Sequence, residues 1–331
     1  MTMRTKKYHI LYLLAILLGF AACNEEWTEE QYEQFIAFKA PLDDNGVTPI
    51  YVRYRADSVT PYKLPVIVSG SLTNERDITV NVAVDPDTLN VLNQERFQSR
   101  TDLYYEELDS KYFSMPDNVA INAGEDVSLM NIDFSLSDID LVDKWVLPLT
   151  VVDDPSGEYT PHPRKNYSKA LLRVMPFNDY SGTYSGTALK TYLRGSEGGA
   201  AIVKSEVTVY VVDENTVFFY AGTIDEDRID RRNYKIIAHF NEQTRQVELS
   251  TDSPDMQLQV NGTPVFSIEE TMDATRPYLL HRYVTISKID YYFTDFTSVP
   301  NATIEYTVRG SLTLERNINT QIPDEDQAIQ W

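Results

Sequence analysis

A period-two alternation of apolar and polar residues recurs along most of this sequence, and it restricts the fold more than any other feature. Residues 79–85 (TVNVAVD) and 302–308 (ATIEYTV) show the alternation most clearly. Successive side chains of a strand point to opposite faces, so the pattern predicts strands that each bury one face. The chain is therefore predicted to be all-β, with one short helix over residues 87–97 for which Asp85 supplies cap chemistry.

The strand-like runs divide into two groups. A chain of 331 residues is long for one core and comfortable for two domains. Residues 35–175 hold about eight runs at the spacing of a sandwich, which predicts an N-terminal immunoglobulin-like β-sandwich. Pro176 and Asn178 mark the predicted boundary. Residues 176–331 contain about nine runs joined by hairpins, which predicts a C-terminal antiparallel meander, either a lipocalin-like barrel or a curled sandwich.

Two local signals make sharper predictions about strand pairing. Asn261-Gly262 lies between the runs 256–260 and 263–268. Both central residues of a type I′ turn need positive φ, so this pair predicts a hairpin between those two runs. Pro148 interrupts the apolar run 145–152. Because proline has no N–H to donate, it predicts an edge strand or a bulge at that position.

The first 22 residues have the pattern of an export signal and are predicted to lie outside the folded body. Arg4, Lys6 and Lys7 give a positive start, and residues 10–22 are almost entirely apolar. Small residues close the apolar run, as in secretory signal peptides. The run is shorter than the roughly 20 residues that a membrane-spanning helix needs.

Cys23 is the only cysteine, which excludes intramolecular disulfides. Residues 20–23 (FAAC) resemble a bacterial lipobox, although Phe20 stands where lipoboxes usually carry leucine. The resemblance implies that Cys23 is acylated and anchors the protein to the outer membrane, with residues 23–34 as a tether. The acidic pair Glu25-Glu26 resembles the signal for outer-surface display in Bacteroides-type lipoproteins. A free or buried thiol is the alternative interpretation of Cys23.

Charge and side-chain chemistry exclude several function classes. The formal net charge of −21 repels polyphosphates, so nucleic acid is not an expected partner. His162, His239 and His281 are far apart in sequence, and no metal site, cofactor or catalytic residue is predicted. The acidic groups at 153–154 and 225–227 are interpreted as solvated loops. A non-catalytic protein is expected, and a hydrolase with unrecognised carboxylates remains an alternative.

The chain contains 22 tyrosines, whose flat apolar faces and polar tips suit sugar stacking as well as packing between strands. Adjacent tyrosines in a strand point to opposite faces, so one of each pair is expected to be exposed. Packing is the alternative role for every candidate. The candidate sugar platforms are Tyr104, Tyr105, Tyr278, Tyr291 and Tyr292.

The sequence also resembles a family of Bacteroides-type surface lipoproteins. An uncharacterised N-terminal β domain is matched by residues 82–85 (VAVD), 112–124 (YFSMPDNVAINAG) and 145–149 (WVLPL). The C-terminal module that often follows it is matched from residue 177 (FNDYSGTYSG). Such proteins are typically encoded in polysaccharide utilisation loci. The resemblance therefore implies a non-catalytic surface protein that binds glycans or oligosaccharides or assists their uptake beside an outer-membrane transporter. A structural or protein-interaction lipoprotein, such as a transporter partner or an adhesin subunit, is the alternative.

Overall fold

The computed structural model describes residues 32–164 and 166–331, which form two β domains. The predicted signal peptide, Cys23 and most of the predicted tether lie outside the described residues. The prediction of an all-β chain, with a sandwich followed by an antiparallel module, is confirmed. Among the described residues, no helix is long and apolar enough to span a membrane.

Ten strands of the described chain form the first domain. They are β1 (Phe35–Phe38), β2 (Thr48–Arg53), β3 (Thr60–Ser69), β4 (Ile78–Val84), β5 (Tyr105–Glu107), β6 (Phe113–Ser114), β7 (Asn118–Ile121), β8 (Val127–Phe134), β9 (Lys144–Val151) and β10 (Lys169–Phe177). One sheet has the order β1-β3-β8-β6, and the other has the order β2-β10-β9-β4-β7 with β5 beside β9. The first and last strands of the second sheet to appear along the chain, β2 and β10, are parallel neighbours.

Alternation along the strands builds the core between the two sheets. In β3, Leu64 and Val66 are fully buried, whereas Pro65 between them is half-buried. Val80 of β4 and Leu147 of β9 approach them from the second sheet. The other face of the second sheet therefore presents the intervening residues of β2 and β10, and this face bears the site described below.

Pro148 lies in a central strand, which corrects the prediction of an edge or bulge. It pairs with Leu171 of β10, and β4 continues on the opposite side of β9 from Leu149 onward. The Pro148 carbonyl accepts the Asp85 N–H at 3.0 Å, just after β4 ends. In a strand the nitrogen and carbonyl of one residue point to the same side, so the Pro148 nitrogen also faces the position beyond the end of β4. No described strand places a carbonyl there, so the absence of an N–H on Pro148 removes no hydrogen bond from the sheet.

The single described α-helix, α1 (Pro86–Phe97), begins one residue before its predicted start and ends where predicted. Asp85 caps it by accepting hydrogen bonds from the Thr88 backbone N–H at 3.4 Å and hydroxyl at 2.7 Å. The buried Leu89 packs against Val146 in a small satellite core on the outside of the sandwich. The helix therefore covers part of the second sheet beside the site.

The remaining strands of the described chain form an antiparallel barrel. They are β11 (Gly182–Ser185), β12 (Lys190–Leu193), β13 (Glu206–Val211), β14 (Thr216–Tyr220), β15 (Lys235–Asn241), β16 (Gln246–Ser250), β17 (Gln259–Val260), β18 (Val265–Met272), β19 (Leu279–Val299), β20 (Ala302–Asn319) and β21 (Ile329–Gln330). Pairing runs from β20 through β11, β13, β14, β15, β16, β18 and β19 and returns to β20, which closes the sheet. Of the alternatives left open by the sequence, the closed barrel is the observed one.

Aromatic side chains fill the barrel interior. Tyr184, Tyr291 and Phe240 are no more than 1% exposed. The hydroxyl of Tyr184 donates to the Tyr180 carbonyl at 2.6 Å, and the hydroxyl of Tyr291 accepts the Gly222 N–H at 3.0 Å. Each ring thus contributes apolar burial while its polar tip keeps a partner.

Asn261-Gly262 does not form the predicted hairpin. β17 pairs with Tyr291 and Tyr292 of β19, and β18 pairs further along the same strand. The Asn261 N–H donates to the Asp290 carbonyl at 2.8 Å, so both short strands follow β19 with an irregularity between them. The positive φ of Gly262, +75°, serves this local kink instead of a chain reversal.

The two domains pack closely against each other. Val211 of β13 belongs to the sandwich core, whereas Val142 of the first domain belongs to the barrel core. Ion pairs also cross the boundary, including Lys144 to Asp227 at 3.0 Å. The domains therefore meet along a continuous surface, and the candidate site is a cleft within it.

Candidate functional site

The structure separates the predicted sugar-stacking tyrosines instead of gathering them. Tyr105 and Tyr291 are 4% and 0% exposed, so neither ring has a free face for a ligand. Tyr105 packs edge-on against Phe97, with ring centroids 5.5 Å apart. As the adjacency rule predicts, the neighbours Tyr104 and Tyr292 point the other way and are half-buried.

The three more exposed candidates do not share a surface groove. Tyr104 donates its hydroxyl to the Gln98 carbonyl at 2.7 Å, beside the helix of the sandwich. Tyr292 carries the guanidinium of Arg194 over its ring at 4.6 Å. Tyr278, 36% exposed, precedes β19 at the other end of that strand. None of the five predicted tyrosines lines the cleft between the domains.

That cleft is the best-formed concavity in the described part of the chain, with a volume of about 230 Å³. One wall is the outer face of β2 and β10, and the other consists of β11, β13, β14 and the end of β20. A second concavity of about 350 Å³ lies beside β16, but no tyrosine or tryptophan lines it. Clefts at domain boundaries with apolar walls and a few polar groups are the usual form of a ligand site.

A stacked aromatic pair forms the outer end of the cleft. The rings of Tyr51 and Trp331 are 4.0 Å apart at an interplanar angle of 2°. Tyr51 reaches this position because Ile50 and Val52 of β2 point into the sandwich core, so the residue between them faces outward. Phe177 supports Trp331 edge-on at 4.8 Å. Trp331 is 48% exposed, which leaves part of its ring open to a ligand.

Two tyrosines of the barrel form the opposite wall. Tyr210 and Tyr220 meet edge to face at 6.2 Å. The Tyr210 hydroxyl donates to the carboxylate of Glu226. Burial, together with the charge of Glu226, raises the pKa of Tyr210 well above its usual value, so Tyr210 stays a neutral hydrogen-bond donor. Glu226 belongs to the acidic group 225–227, which was predicted to be a solvated loop. Asp225 and Asp227 are exposed, but Glu226 is half-buried in the cleft, which corrects the prediction for that residue.

Three arginines bring positive charge to the cleft, and among the described residues only Arg316 has a carboxylate within 4.0 Å, that of Asp179. Arg231 is 7% exposed and donates to the backbone carbonyl of Val142 at 3.1 Å. Arg316, 3% exposed, donates to the backbone carbonyl of Ser181 at 2.7 Å, and burial lowers its pKa to about 10. Arg173 lies half-buried on the outer face of β10, and its side chain makes no hydrogen bond or ion pair with any described residue.

The arrangement suits binding rather than a recognisable reaction. Aromatic faces can stack on the apolar face of a pyranose, and guanidinium groups can donate to its oxygens. Trp145 packs against the sandwich core and also lines the cleft, with its indole N–H donating to the Asp140 carbonyl at 2.8 Å. No group of three His, Cys, Asp or Glu among the described residues could hold a metal ion.

The principal residues of the cleft are not among the residues predicted from the sequence. Tyr51 has a usable signal, since it is the outward tyrosine of an alternating strand. Arg173 and Trp331 have no usable signal, because they are 158 positions apart and line the same cleft only after both domains have folded. Local patterns identify which side chains leave a strand outward, and they do not identify which outward faces meet.

Two family models match the chain, and together they cover most of the described residues. A domain of unknown function, DUF4973, matches residues 27–155, and a model described as a C-terminal domain matches residues 168–313. No curated protein matches the sequence. Fold and cleft thus define a two-domain β protein with an aromatic-lined cleft at the domain boundary.

Solved structures from Bacteroides resemble this chain over almost its whole length. A multidomain protein including DUF1735 from Bacteroides ovatus is 47% identical, with 90% of this chain and 100% of that chain covered and a TM-score of 0.81. A protein described as an auxiliary nutrient binding protein from Bacteroides thetaiotaomicron is 46% identical, with 91% and 100% covered and a TM-score of 0.81. A further Bacteroides ovatus protein of unknown function is 38% identical, with 92% and 97% covered and a TM-score of 0.78. The chain belongs to the family of these two-domain Bacteroides proteins.

Proposed function

We propose that this protein is a non-catalytic, surface-tethered lipoprotein that captures glycans in the cleft between its two domains. The observation that carries the proposal is the stacked pair Tyr51 and Trp331, which presents a partly open aromatic face at the mouth of the cleft. A pyranose ring packs on such a face through its apolar C–H groups. The relative described as an auxiliary nutrient binding protein supports a role in nutrient capture.

The hydrogen-bonding groups of the cleft fit a sugar better than an apolar ligand. Tyr210 and Tyr220 combine ring faces with hydroxyl groups, and Arg173 offers free donors. A sugar needs both kinds of group, because its ring is apolar on one face and its hydroxyls must be paired when water is displaced. A purely apolar ligand would leave the arginine donors without partners, at a desolvation cost.

Affinity electrophoresis and calorimetry with a panel of plant and host polysaccharides test the binding function. Trp331→Ala is expected to weaken glycan binding about tenfold, because a stacking face worth roughly 1.4 kcal/mol is lost. Tyr278→Ala is the matched control, since Tyr278 is exposed on the barrel but lies outside the cleft. Retention of full affinity by Trp331→Ala would move the site elsewhere, and silence across the whole panel would contradict glycan capture.

The location part of the proposal rests on the lipobox-like residues 20–23 and has its own test. Mass spectrometry of the purified protein is expected to find acyl chains on the cysteine at position 23, and externally added protease is expected to digest the protein on intact cells. Cys23→Ala should release the protein from membranes. An unmodified thiol, or protection from protease, would contradict surface tethering. A stoichiometric transporter partner without any sugar affinity would instead support the protein-interaction alternative.

A further inference from the structure

We infer that the ligand of this cleft is an anionic glycan, whose carboxylate or sulfate group pairs with the guanidinium of Arg173. The inference rests on the proposed glycan-binding function and names the class of sugar. The charge of the cleft differs from that of the whole chain. The chain as a whole carries 50 acidic against 29 basic residues, yet this cleft holds a half-buried arginine without a counterion among the described residues.

Arg173 holds its position without using its hydrogen-bond donors. Val174 and Leu172, on either side of it in β10, are buried in the sandwich core, which directs Arg173 toward the cleft. Its guanidinium carbon lies 6.0 Å from the ring of Tyr105, which supports the side chain from behind. A guanidinium has five N–H donors arranged in a fork that matches two oxygens of a carboxylate or sulfate. In Arg173 that fork remains available.

The carboxylates that line the cleft are already engaged with other groups. Glu226 accepts from the Tyr210 hydroxyl. Asp143 is paired with Arg232 at 3.0 Å, and Glu315 lies 3.0 Å from a ring nitrogen of His281. None of these three acids is within ion-pair distance of Arg173 in the described structure. The protein therefore supplies no internal anion for this guanidinium.

The neighbouring cations strengthen the preference for an anion. Arg231 and Arg316 are nearly fully buried and donate chiefly to backbone carbonyls, which do not neutralise their charge. The nearest carboxylate of Arg316, that of Asp179, is 4.0 Å away. Charges that face a partly enclosed, low-dielectric space act over longer distances than charges in water. An anionic sugar would thus gain from all three cations while pairing directly with Arg173 alone.

The test measures binding of three soluble probes to the purified full-length protein: oligogalacturonate, which carries carboxylates; chondroitin sulfate oligosaccharide, which carries carboxylates and sulfates; and a neutral galactan oligosaccharide. At least one acidic probe is expected to bind more tightly than the neutral probe, with an affinity that falls as sodium chloride is raised. Arg173→Gln should weaken binding of that probe at least about tenfold, because a charge-assisted bidentate contact is lost. Arg173→Lys should restore part of the affinity, since it keeps the charge without the fork.

Arg76→Gln is the matched control, because it removes one exposed positive charge outside the cleft. It should leave every affinity unchanged. If the neutral probe binds as tightly as the acidic ones and Trp331→Ala weakens it while Arg173→Gln does not, the anionic preference is overturned and the proposed glycan capture stands. If no probe and no polysaccharide of the wider panel binds, the proposed function itself fails. Comparing the two acidic probes shows which anionic group is recognised.

Discussion

The two domains of this protein are both β structures, but their cores are made of different residues. The sandwich core consists mostly of aliphatic side chains such as Leu64 and Val80, whereas Tyr184, Tyr234 and Tyr291 are fully buried in the barrel. Each of these tyrosines keeps a hydrogen bond at its hydroxyl, as Tyr234 does with Asp295 at 2.8 Å. The tyrosine-rich composition therefore serves the barrel interior first, and a tyrosine count alone does not indicate a binding surface.

The largest difference between the domains is expected at two glycines. Gly310 in β20 has a φ of +139°, and an added Cβ would lie 1.9 Å from the Ala188 carbonyl oxygen. Gly310→Ala should therefore cost on the order of 4 kcal/mol of unfolding free energy, from the clash and backbone strain together. Gly124 in the sandwich has a φ of +86° with nothing within 4 Å of an added Cβ, so Gly124→Ala should cost only about 1 kcal/mol. Urea unfolding followed by circular dichroism compares them, and equal costs would contradict the close approach.

A smaller difference in unfolding free energy is expected between one carboxylate of each domain, Asp295 in the barrel and Asp85 in the sandwich. Asp295 of the barrel is 3% exposed and pairs with Arg228 at 3.1 Å, and these contacts hold its pKa well below the usual value despite burial. Asp295→Ala should cost about 2 kcal/mol, because it removes a buried acceptor of the Tyr234 hydroxyl and one of the two carboxylates that pair with Arg228, the other being Asp230. Asp85→Ala in the sandwich removes a helix cap and should cost about 1 kcal/mol. Chemical denaturation midpoints of the two variants measure the difference, and a reversed order would mean that the remaining pair of Arg228 with Asp230 is enough to hold this part of the barrel.

The two domains are expected to respond to pH in opposite directions. His281 of the barrel lies between Asp273 at 3.1 Å and Glu315 at 3.0 Å, and the hydrogen bond with Asp273 is the main reason that its pKa is raised. Its contribution is present below its unfolded pKa, roughly 6.5, and is lost as pH rises through the higher folded value. The stabilisation of the native chain over His281→Gln should therefore shrink from pH 6 toward alkaline pH.

His162 of the sandwich provides the opposite case. Burial lowers the pKa of His162, with a smaller contribution from Arg164, so the unfolded chain binds this proton more readily than the folded one. Stability relative to His162→Gln should therefore fall as pH drops below about 6.5. Thermal unfolding of both variants between pH 5 and pH 9 checks the two slopes. Parallel slopes would contradict the different environments assigned to these histidines.

The smallest effect is expected at an ion pair that joins the domains. Arg232 of the barrel contacts Asp140 and Asp143 of the sandwich, but its side chain is 52% exposed. Arg232→Ala should cost less than about 1 kcal/mol, and the cost should vanish at high salt because exposed charges are screened. Denaturation at low and high sodium chloride measures it. A large, salt-independent loss would instead indicate that the Arg232 side chain contributes packing at the boundary in addition to its exposed charge.

Sequence patterns predicted the strands well because burial alternates along each of them. The alternating run at 79–85 matches β4 within one residue and the run at 302–308 begins β20, and the cap at Asp85 located α1 within one residue. Pairing was harder to predict, since it depends on partners remote in sequence. Asn261-Gly262 has the backbone freedom of a turn, yet β19 offers continuous pairing to both flanking strands, and that tertiary pairing outweighed the local preference.

The cleft between the domains could be predicted least, because it is formed by two outer faces. Tyr51 and Tyr210 each alternate with core residues of their own strand, which shows that they point outward. Their convergence depends on how the sandwich and barrel dock through Val142 and Val211. Neither periodicity nor composition contains that information. A search for outward aromatic residues in alternating strands would have included Tyr51 and Tyr210 among its candidates.

The parallel pairing of β2 with β10 also affects the order in which the first domain can fold during synthesis. A chain made from its amino end has β2 available after residue 53, but the only neighbour of β2 among the described strands ends at residue 177. While more than a hundred further residues are synthesised, β2 has no neighbouring strand with which to pair. We therefore expect the second sheet of the first domain to stay incomplete, and to need chaperones, until β10 has been synthesised. The domain should then complete its fold in one late, cooperative step.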